Sequence, residues 1–313
     1  MSVNSSLAFI FPGQGSQKLG MLSDYYQEYA IIRDTFNEAN EVLGFNLWDI
    51  ILNDENRLNQ TIYTQPALLA ASIAVFRLLE LETAVQPTLM AGHSLGEYSA
   101  LVAANAISFA DGLRLVHARG QYMQEAVPSD QGAMSVFLGL DDKSVDEICQ
   151  KAQEKGVVSA ANFNSPGQVV VAGEYHAVIY ALELAKEKGA KRAQLLPVSV
   201  PSHCLLMKPA ADKLIVNLNQ INIQKPQTSI IHNVDLETHD NADDIREALI
   251  KQLYKPVRWT ETIQLMSDEK INTFVEIGSG RVLTGLNKRI VKTNTYLYTD
   301  NLASFHQVLE SLA

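Results

Sequence analysis

Cysteine is nearly absent: Cys149 and Cys204 stand far apart in a chain of 313 residues. They supply no disulfide framework and no cysteine-rich metal spacing, so a reducing cytoplasm is the expected compartment. The opening MSVNSSLAFIFPGQG has no basic stretch, and its apolar run extends only from Leu7 to Phe11. It reads as neither a secretory signal nor a membrane span. Positive charge is also in short supply, with 25 Lys and Arg against 35 Asp and Glu and a formal net charge of −10. That balance argues against a nucleic-acid surface, and any anionic ligand has to be met by a local basic patch. No repeat of fixed period and no low-complexity tract is present. With 47% hydrophobic and 19% charged residues, 17 Gly and 10 Pro, fibrous and disordered classes are excluded. One large domain, or a large domain carrying an insertion, remains.

The order of strand and helix patterns gives the architecture. Leu7 to Phe11 reads as a buried strand stopped by Pro12-Gly13. Gln65 to Leu81 is apolar nearly all round, as expected of an interior helix, with Pro66 placed in its first turn and Pro87 closing the connection that follows. Thr88 to Ala91 is a second buried strand that breaks at Gly92 into a helix over Leu95 to Ala104. Ser108 caps a further helix running to Glu125. After Pro128 the rhythm changes. A strand over Ala133 to Leu140, a helix over Asp142 to Lys155, strands over Val157 to Phe163 and Gln168 to Ala172, a helix over Glu174 to Lys188 and a strand over Ala193 to Val198 make βαββαβ, the order of a ferredoxin-like unit. The expected division is a large α/β domain of residues 1–128 and 199–313 with a ferredoxin-like subdomain of residues 129–198 inserted in it. Strand candidates at Ser229 to His232, Thr273 to Ile277 and Tyr296 to Tyr298 alternate with helices around Asp243 to Gln252, Thr260 to Met266, Val282 to Ile290 and Ala303 to Leu312. This alternation implies a mostly parallel sheet covered on both faces.

Gly92-His93-Ser94-Leu95-Gly96 is a G-x-S-x-G at a strand exit. A strand that turns at once into a helix holds its middle residue in a strained conformation, and the flanking glycines leave room for it. Ser94 reads as a nucleophile, which needs a base. His93, His117, His176, His239 and His306 read as packing or surface residues. His203, behind the confining Pro201, and His232, at the end of a candidate strand, are equally good candidates on these grounds. Asp141, Asp142, Asp146 and Glu174 read as solvated helix ends, so no third carboxylate is evident. The base is therefore expected to be oriented by a backbone carbonyl or an amide side chain. The glycines of Pro12-Gly13-Gln14-Gly15-Ser16-Gln17 let backbone N–H groups approach a ligand, as an oxyanion hole requires of a second donor beside the amide of Leu95. A P-loop is disfavoured, because Gln14 and Gln17 replace its Lys and Ser/Thr. Arg119, in the apolar stretch LVHARGQYM, could hold a substrate carboxylate with its fork.

FPGQGSQ at 11–17, TQPAL at 64–68, GHSLGEYSAL at 92–101, RGQYMQ at 119–124, NSPGQ at 164–168, VPSH at 200–203, QLYKPVRW at 252–259 and EIGSG at 276–280 together resemble the malonyl-CoA:acyl-carrier-protein transacylases of bacterial fatty-acid synthesis. The resemblance spans essentially the whole chain. It implies a hydrolase-like α/β core with an inserted ferredoxin-like subdomain, and it assigns roles residue by residue. Ser94 is implied as the nucleophile that takes malonyl from coenzyme A, His203 as its acid/base and Arg119 as the clamp on the malonyl carboxylate. Gln14 and Leu95 are implied as the oxyanion donors, and a backbone carbonyl near Gln252 as the support of His203. Malonyl-CoA and holo-acyl carrier protein are the implied substrates, with no metal or cofactor, no nucleic acid and no membrane. An acidic carrier would dock on a positive patch, for which Lys191, Arg192, Arg281, Lys288, Arg289 and Lys292 are candidates. A serine esterase or thioesterase, a non-catalytic carrier-binding module and a polyketide acyltransferase are the competing readings, although VPSH favours the free-standing fatty-acid enzyme.

Overall fold

A computed structural model describes residues 2–128, 130–198 and 200–313. Nine strands follow one another among the described residues: β1 (Ser2–Phe11), β2 (Val85–Gly92), β3 (Gly132–Leu138), β4 (Val158–Ser165), β5 (Gln168–Glu174), β6 (Arg192–Leu195), β7 (Ser229–Ile231), β8 (Thr273–Glu276) and β9 (Thr295–Tyr298). They form two sheets. The larger, in the order β7-β2-β1-β8-β9, is parallel throughout. Its strands are apolar on both faces because both are covered. Along β1, Leu7, Phe9 and Phe11 pack into one cluster with the long interior helix, while Ala8 and Ile10 pack into a second with Trp259, Ile263 and Phe274. This is the period-2 alternation of a strand spent on two cores.

The interior helix runs from Thr61 to Glu82. It is long and apolar enough to cross a membrane, yet most of that surface is buried here against neighbouring helices. It starts four residues before the sequence pattern suggested, so Pro66 lies in its second turn and not its first. Extra start signals lie in polar groups that periodicity ignores: the Thr64 hydroxyl donates to Leu58 O at 2.5 Å and to Gln60 O at 3.0 Å. Pro87, expected to end a connection, sits inside β2 opposite Asn4. There β7 has not yet begun to pair, which is where a strand tolerates proline. Helices at Ser23–Glu28, Ala30–Leu43, Leu47–Asn53, Glu55–Leu58 and Lys208–Gln220 were not anticipated. Two of them are single or double turns held by side-chain caps, Asn46 accepting from Asp49 N and Asp54 from Arg57 N.

The smaller sheet runs β4-β5-β3-β6 with every pair antiparallel. Its helices Asp142–Ala152 and Tyr175–Glu187 cover one face, where Val145, Ile148, Val178 and Ala181 are buried. This is the ferredoxin-like arrangement read from the sequence. The other face packs Met134, Ala161, Val170 and Ala172 against Cys204. A bridge from Phe163 N to Val257 O and from Val257 N to Ala161 O, both 2.9 Å, ties β4 to the larger part. The expected junction residues 129 and 199 lie outside the described residues. The sheet's back thus forms a wall behind the segment that carries His203.

Candidate active site

β2 delivers the chain to Gly92, and a helix begins at Leu95. Ser94 between them has φ 53° and ψ −106°, a conformation that side chains rarely adopt. Both flanking glycines are demanded by space. A Cβ on Gly92 would lie 1.8 Å from Gly96 C, and one on Gly96 would lie 2.0 Å from Phe11 O. Asn233, just beyond β7, pins the turn from the side: its Oδ1 accepts from Ser94 N at 2.7 Å and its Nδ2 donates to Gly92 O at 2.7 Å. The loop after β1 presses on the same turn, since a Cβ on Gly13 would meet His93 O at 2.4 Å. Gln14 is exposed in that loop, and Gly15 beside it has φ 101°. Leu95 is buried and opens its helix, so its N–H is one of the four that have no partner within the helix.

His203 faces Ser94. Its Nε2 is 2.7 Å from Ser94 Oγ and its Nδ1 is 2.7 Å from the backbone O of Gln252. Gln252 ends the helix Ala242–Gln252, where carbonyls are left without an internal donor, so the helix end supplies the acceptor. His203 itself has φ 62°, and its N–H is fixed on Leu253 O at 3.0 Å. Burial, and then the positive charge of Arg119, push its imidazole down to about 3. The ring therefore stays neutral far below its ordinary range and keeps an open lone pair for the Ser94 proton. Cys204 beside it is buried, bonds Pro201 O and has its thiol pushed up to about 12 by burial. It is packing.

Arg119 lies on the helix Phe109–Ala126, which approaches the interior helix closely enough that a Cβ on Gly120 would be 2.7 Å from Thr61 O. The guanidinium is fully buried. Its Nη1 donates to Gln65 Oε1 at 2.7 Å, and its Nη2 to Gln252 Oε1 at 3.0 Å and Ser94 Oγ at 3.2 Å. All three acceptors are neutral. The buried Glu97 carboxylate acts on this charge only from behind Gln252, so the fork itself has no anion bonded to it and is poised for one, which an arriving carboxylate supplies. Burial lowers the tendency of Arg119 to carry its charge, and the neighbouring Tyr98 and Glu97 oppose that effect.

Of the sequence-derived candidates, Ser94, His203, Arg119 and Gln252 meet in one hydrogen-bonded cluster, with Leu95 adjoining and Gln14 on the loop above. His232 does not join them at the serine. It is buried with Nδ1 2.8 Å from Glu97 Oε1, so of the two candidate histidines it is His203 that lies against Ser94 Oγ. His93 turns aside: its Nε2 meets Asn164 Oδ1 at 2.8 Å and its ring packs edge-on against Trp259. Four residues were missed. Gln65 holds Arg119, Asn233 holds the serine turn and Asn164 holds His93. Glu97, fully buried, lies against His232 Nδ1 and accepts from Asn233 N at 3.0 Å and from Gln252 Nε2 at 2.9 Å. The available signal for Glu97 was a lone carboxylate in the otherwise uncharged run LGEYSALVAA. Among the described residues no group of three or more His, Cys, Asp or Glu is placed to hold a metal.

A serine on a strained strand-to-helix turn, a neutral imidazole on its oxygen and a buried guanidinium beside both define an acyl-transfer site. Residues 8–303 match the acyl transferase domain family, and the chain belongs to it. The chain is 52% identical over 93% of its length, and 94% of the other, to the malonyl CoA-acyl carrier protein transacylase of Escherichia coli K12. Among solved structures it superposes with a TM-score of 0.98 on the malonyl-CoA:acyl carrier protein transacylase of Xanthomonas oryzae pv. oryzae, at 46% identity and full coverage of both chains. A malonyl-transacylase solved in complex with its type II polyketide acyl-carrier protein matches with a TM-score of 0.96 and 51% identity, covering 98% of this chain and 99% of the other.

Proposed function

We propose that the chain transfers the malonyl group of malonyl-CoA to the phosphopantetheine thiol of an acyl carrier protein, through a malonyl ester on Ser94, and so supplies fatty-acid elongation. One observation carries the choice of acyl group: the fully buried Arg119, with neutral partners only, reaches the Ser94 hydroxyl at 3.2 Å. An acyl chain ending in a carboxylate supplies an anion that the guanidinium can hold directly, and an acetyl or longer alkyl acyl group does not. The named activities of the relatives above agree with this reading.

The chemistry runs in two halves. His203 Nε2 takes the Ser94 proton as Oγ attacks the thioester carbon, and the oxyanion is met by the N–H groups of Leu95 and Gln14. Collapse breaks the C–S bond, and coenzyme A leaves as the thiol with the proton held by His203. The carrier thiol then gives its proton to His203 and attacks the ester carbon, and Ser94 recovers its proton as the C–O bond breaks. Coenzyme A departs before the carrier acts, so the kinetics are ping-pong. Throughout, the Gln252 carbonyl holds His203 Nδ1–H, and Arg119 holds the malonyl carboxylate.

The carrier docks on positive side chains, for which Lys191, Arg192, Arg281, Lys288, Arg289 and Lys292 serve. Arg289 already spans from its helix to Gln168 of β5. The enzyme works in the cytoplasm, and residues 129–198 form a subdomain inserted between 1–128 and 199–313. The test is mass spectrometry after brief exposure to malonyl-CoA, followed by addition of holo-carrier protein. The expected result is a malonyl adduct on Ser94, absent in Ser94→Ala, that moves to the carrier thiol faster than to water. An unmodified wild-type chain would overturn the reading in favour of a carrier-binding module. Equal loss to water would favour a thioesterase.

A further inference from the structure

We propose that Glu97 is the positioning residue of this site, standing one step behind the serine, the base and the clamp at once. The inference rests on the acyl-transfer reading of Ser94, His203 and Arg119. Glu97 sits on the first turn of the helix that begins at Leu95, and its carboxylate is fully buried. Three nitrogens from two other segments converge on it: His232 Nδ1 at 2.8 Å, the Asn233 backbone N–H at 3.0 Å and Gln252 Nε2 at 2.9 Å. Two of these nitrogens belong to the residues that hold the reacting groups. Asn233 Oδ1 accepts from Ser94 N, and Gln252 presents its side-chain Oε1 to Arg119 Nη2 and its backbone O to His203 Nδ1. The second Gln252 Nε2 hydrogen goes to Ser94 O at 3.0 Å. The serine turn, the imidazole and the guanidinium are thus each one hydrogen bond from a group anchored on Glu97.

The residue type follows from the donor count. The Asn233 and Gln252 N–H groups share Glu97 Oε2, and Oε1 faces His232 Nδ1; with the ring proton of His232 on Nδ1 all three contacts are donors to the side chain, which a carboxylate accepts on both oxygens and a carboxamide does not. Glu97→Gln would set an NH2 group either against the Asn233 and Gln252 donors or against His232 Nδ1, which could accept it only by moving its ring proton to the other nitrogen. The Gln252 amide, whose orientation its contact with Glu97 fixes, would then be free to turn over and set its own N–H against Arg119. Glu97 touches none of Ser94 Oγ, His203 and Arg119 through a hydrogen bond, so it acts on them by the placement of Asn233 and Gln252 and, on Arg119, also by its charge. Misplacement of reacting groups by less than 1 Å is enough to cost about 10- to 100-fold in rate.

The experiment measures Ser94 acylation in single turnover with malonyl-CoA and with acetyl-CoA, recording burst amplitude and rate constant separately, for the wild type, Glu97→Gln, Glu97→Asp and Gln252→Met, and for Glu97→Gln combined with Gln252→Met. Val308→Ala, which opens a cavity under the C-terminal helix Leu302–Leu312, controls for lost stability. The expected result for Glu97→Gln is a rate constant per acylated site lower by about 10- to 100-fold, with the malonyl-over-acetyl ratio reduced and the burst amplitude retained. Glu97→Asp, which keeps the charge and both oxygens, recovers part of the rate. In the double variant the second change adds little, because both act through the same amide. Val308→Ala lowers the melting temperature and leaves rate constant and ratio alone. Loss of amplitude or melting temperature alone in Glu97→Gln, with unchanged rate and ratio per active site, would overturn the proposal, as would fully additive losses in the double variant. If Glu97→Gln does not fold, Glu97→Asp decides the matter: wild-type rate and ratio in a folded Glu97→Asp overturn the proposal, and a reduced ratio supports it. A wild type that takes up no malonyl group would instead sink the acyl-transfer reading itself.

Discussion

Replacing Arg119 by Ala tests the charge logic of the site directly. The guanidinium is fully buried, donates to Gln65 Oε1, Gln252 Oε1 and Ser94 Oγ, and has a buried Nε with no hydrogen-bond partner. A malonyl carboxylate bound there forms a desolvated ion pair, and deleting one member of such a pair costs about 3–5 kcal/mol because the other charge is left buried and unpaired. At about 1.4 kcal/mol per tenfold, malonyl transfer to Ser94 should lose about 10²- to 10⁴-fold in kcat/KM. An acetyl group has no carboxylate to strand, so acetyl transfer should change by less than about tenfold and the donor preference should collapse. The variant leaves two amide oxygens without their donor, but a space of guanidinium size admits water to meet them, so the fold should survive. The assay is single-turnover acylation of Ser94 by each donor, with circular dichroism to verify folding. Retention of the malonyl preference, or an equal fall for both donors in a folded variant, would refute the assignment of Arg119 as carboxylate clamp.

Three further outcomes follow from the geometry. Ser94 holds φ 53° in both the native chain and Ser94→Ala, so Ser94→Gly should be more stable than Ser94→Ala by about 1–2 kcal/mol in urea unfolding, and the reverse order would refute the strain. Gly96→Ala places a Cβ 2.0 Å from Phe11 O, where only backbone movement makes room, so the variant should lose several kcal/mol, about 3 or more, and its Ser94 adduct with it; near-native melting would count against the elbow geometry. His203 has a folded-state pKa of about 3, below the ordinary 6.5 of the unfolded chain, so the unfolded state binds the extra proton as pH falls. Its contribution to stability is present above pH 6.5 and lost progressively toward pH 3. The stability difference between the wild type and His203→Gln should therefore shrink by about 2 kcal/mol between pH 7 and pH 5, and a constant difference would show an imidazole that is not held neutral.

The large features were written in local pattern. Alternating strands and helices gave the parallel sheet, the βαββαβ order gave the small antiparallel one, and G-x-S-x-G at a strand exit placed Ser94, because each of these depends on residues close in the chain. What escaped depends on partners far away in it. Glu97 looks like a helix residue until Gln252, 155 positions later, and Asn233 close around it. Gln65 was hidden for a different reason: with the helix taken to begin there, it read as a terminal residue, whereas the true start at Thr61 puts it on the second turn facing Arg119, with its Nε2 held by Thr61 Oγ1 at 3.0 Å. The four helices over residues 23–58 escaped because two are too short for periodicity to register and rest on caps.

The absence of a carboxylate on His203 fits a transferase. His203 is held near 3 and must still take the Ser94 proton, with its Nε2 2.7 Å from Oγ. Against the ester, a carrier thiol gives up its proton far more readily than water does. Part of the depression comes from the Arg119 charge, and a malonyl carboxylate on Arg119 cancels that part. The imidazole regains basicity when a dicarboxylic acyl group is in place, and an acetyl donor leaves it depressed. Because the carboxylate stays on Arg119 after the acyl group has moved to Ser94, the base remains in its stronger state for the second half of the reaction. Recognition and activation therefore share one guanidinium, which explains why it lies within hydrogen-bonding distance of the serine instead of at the far end of the acyl pocket.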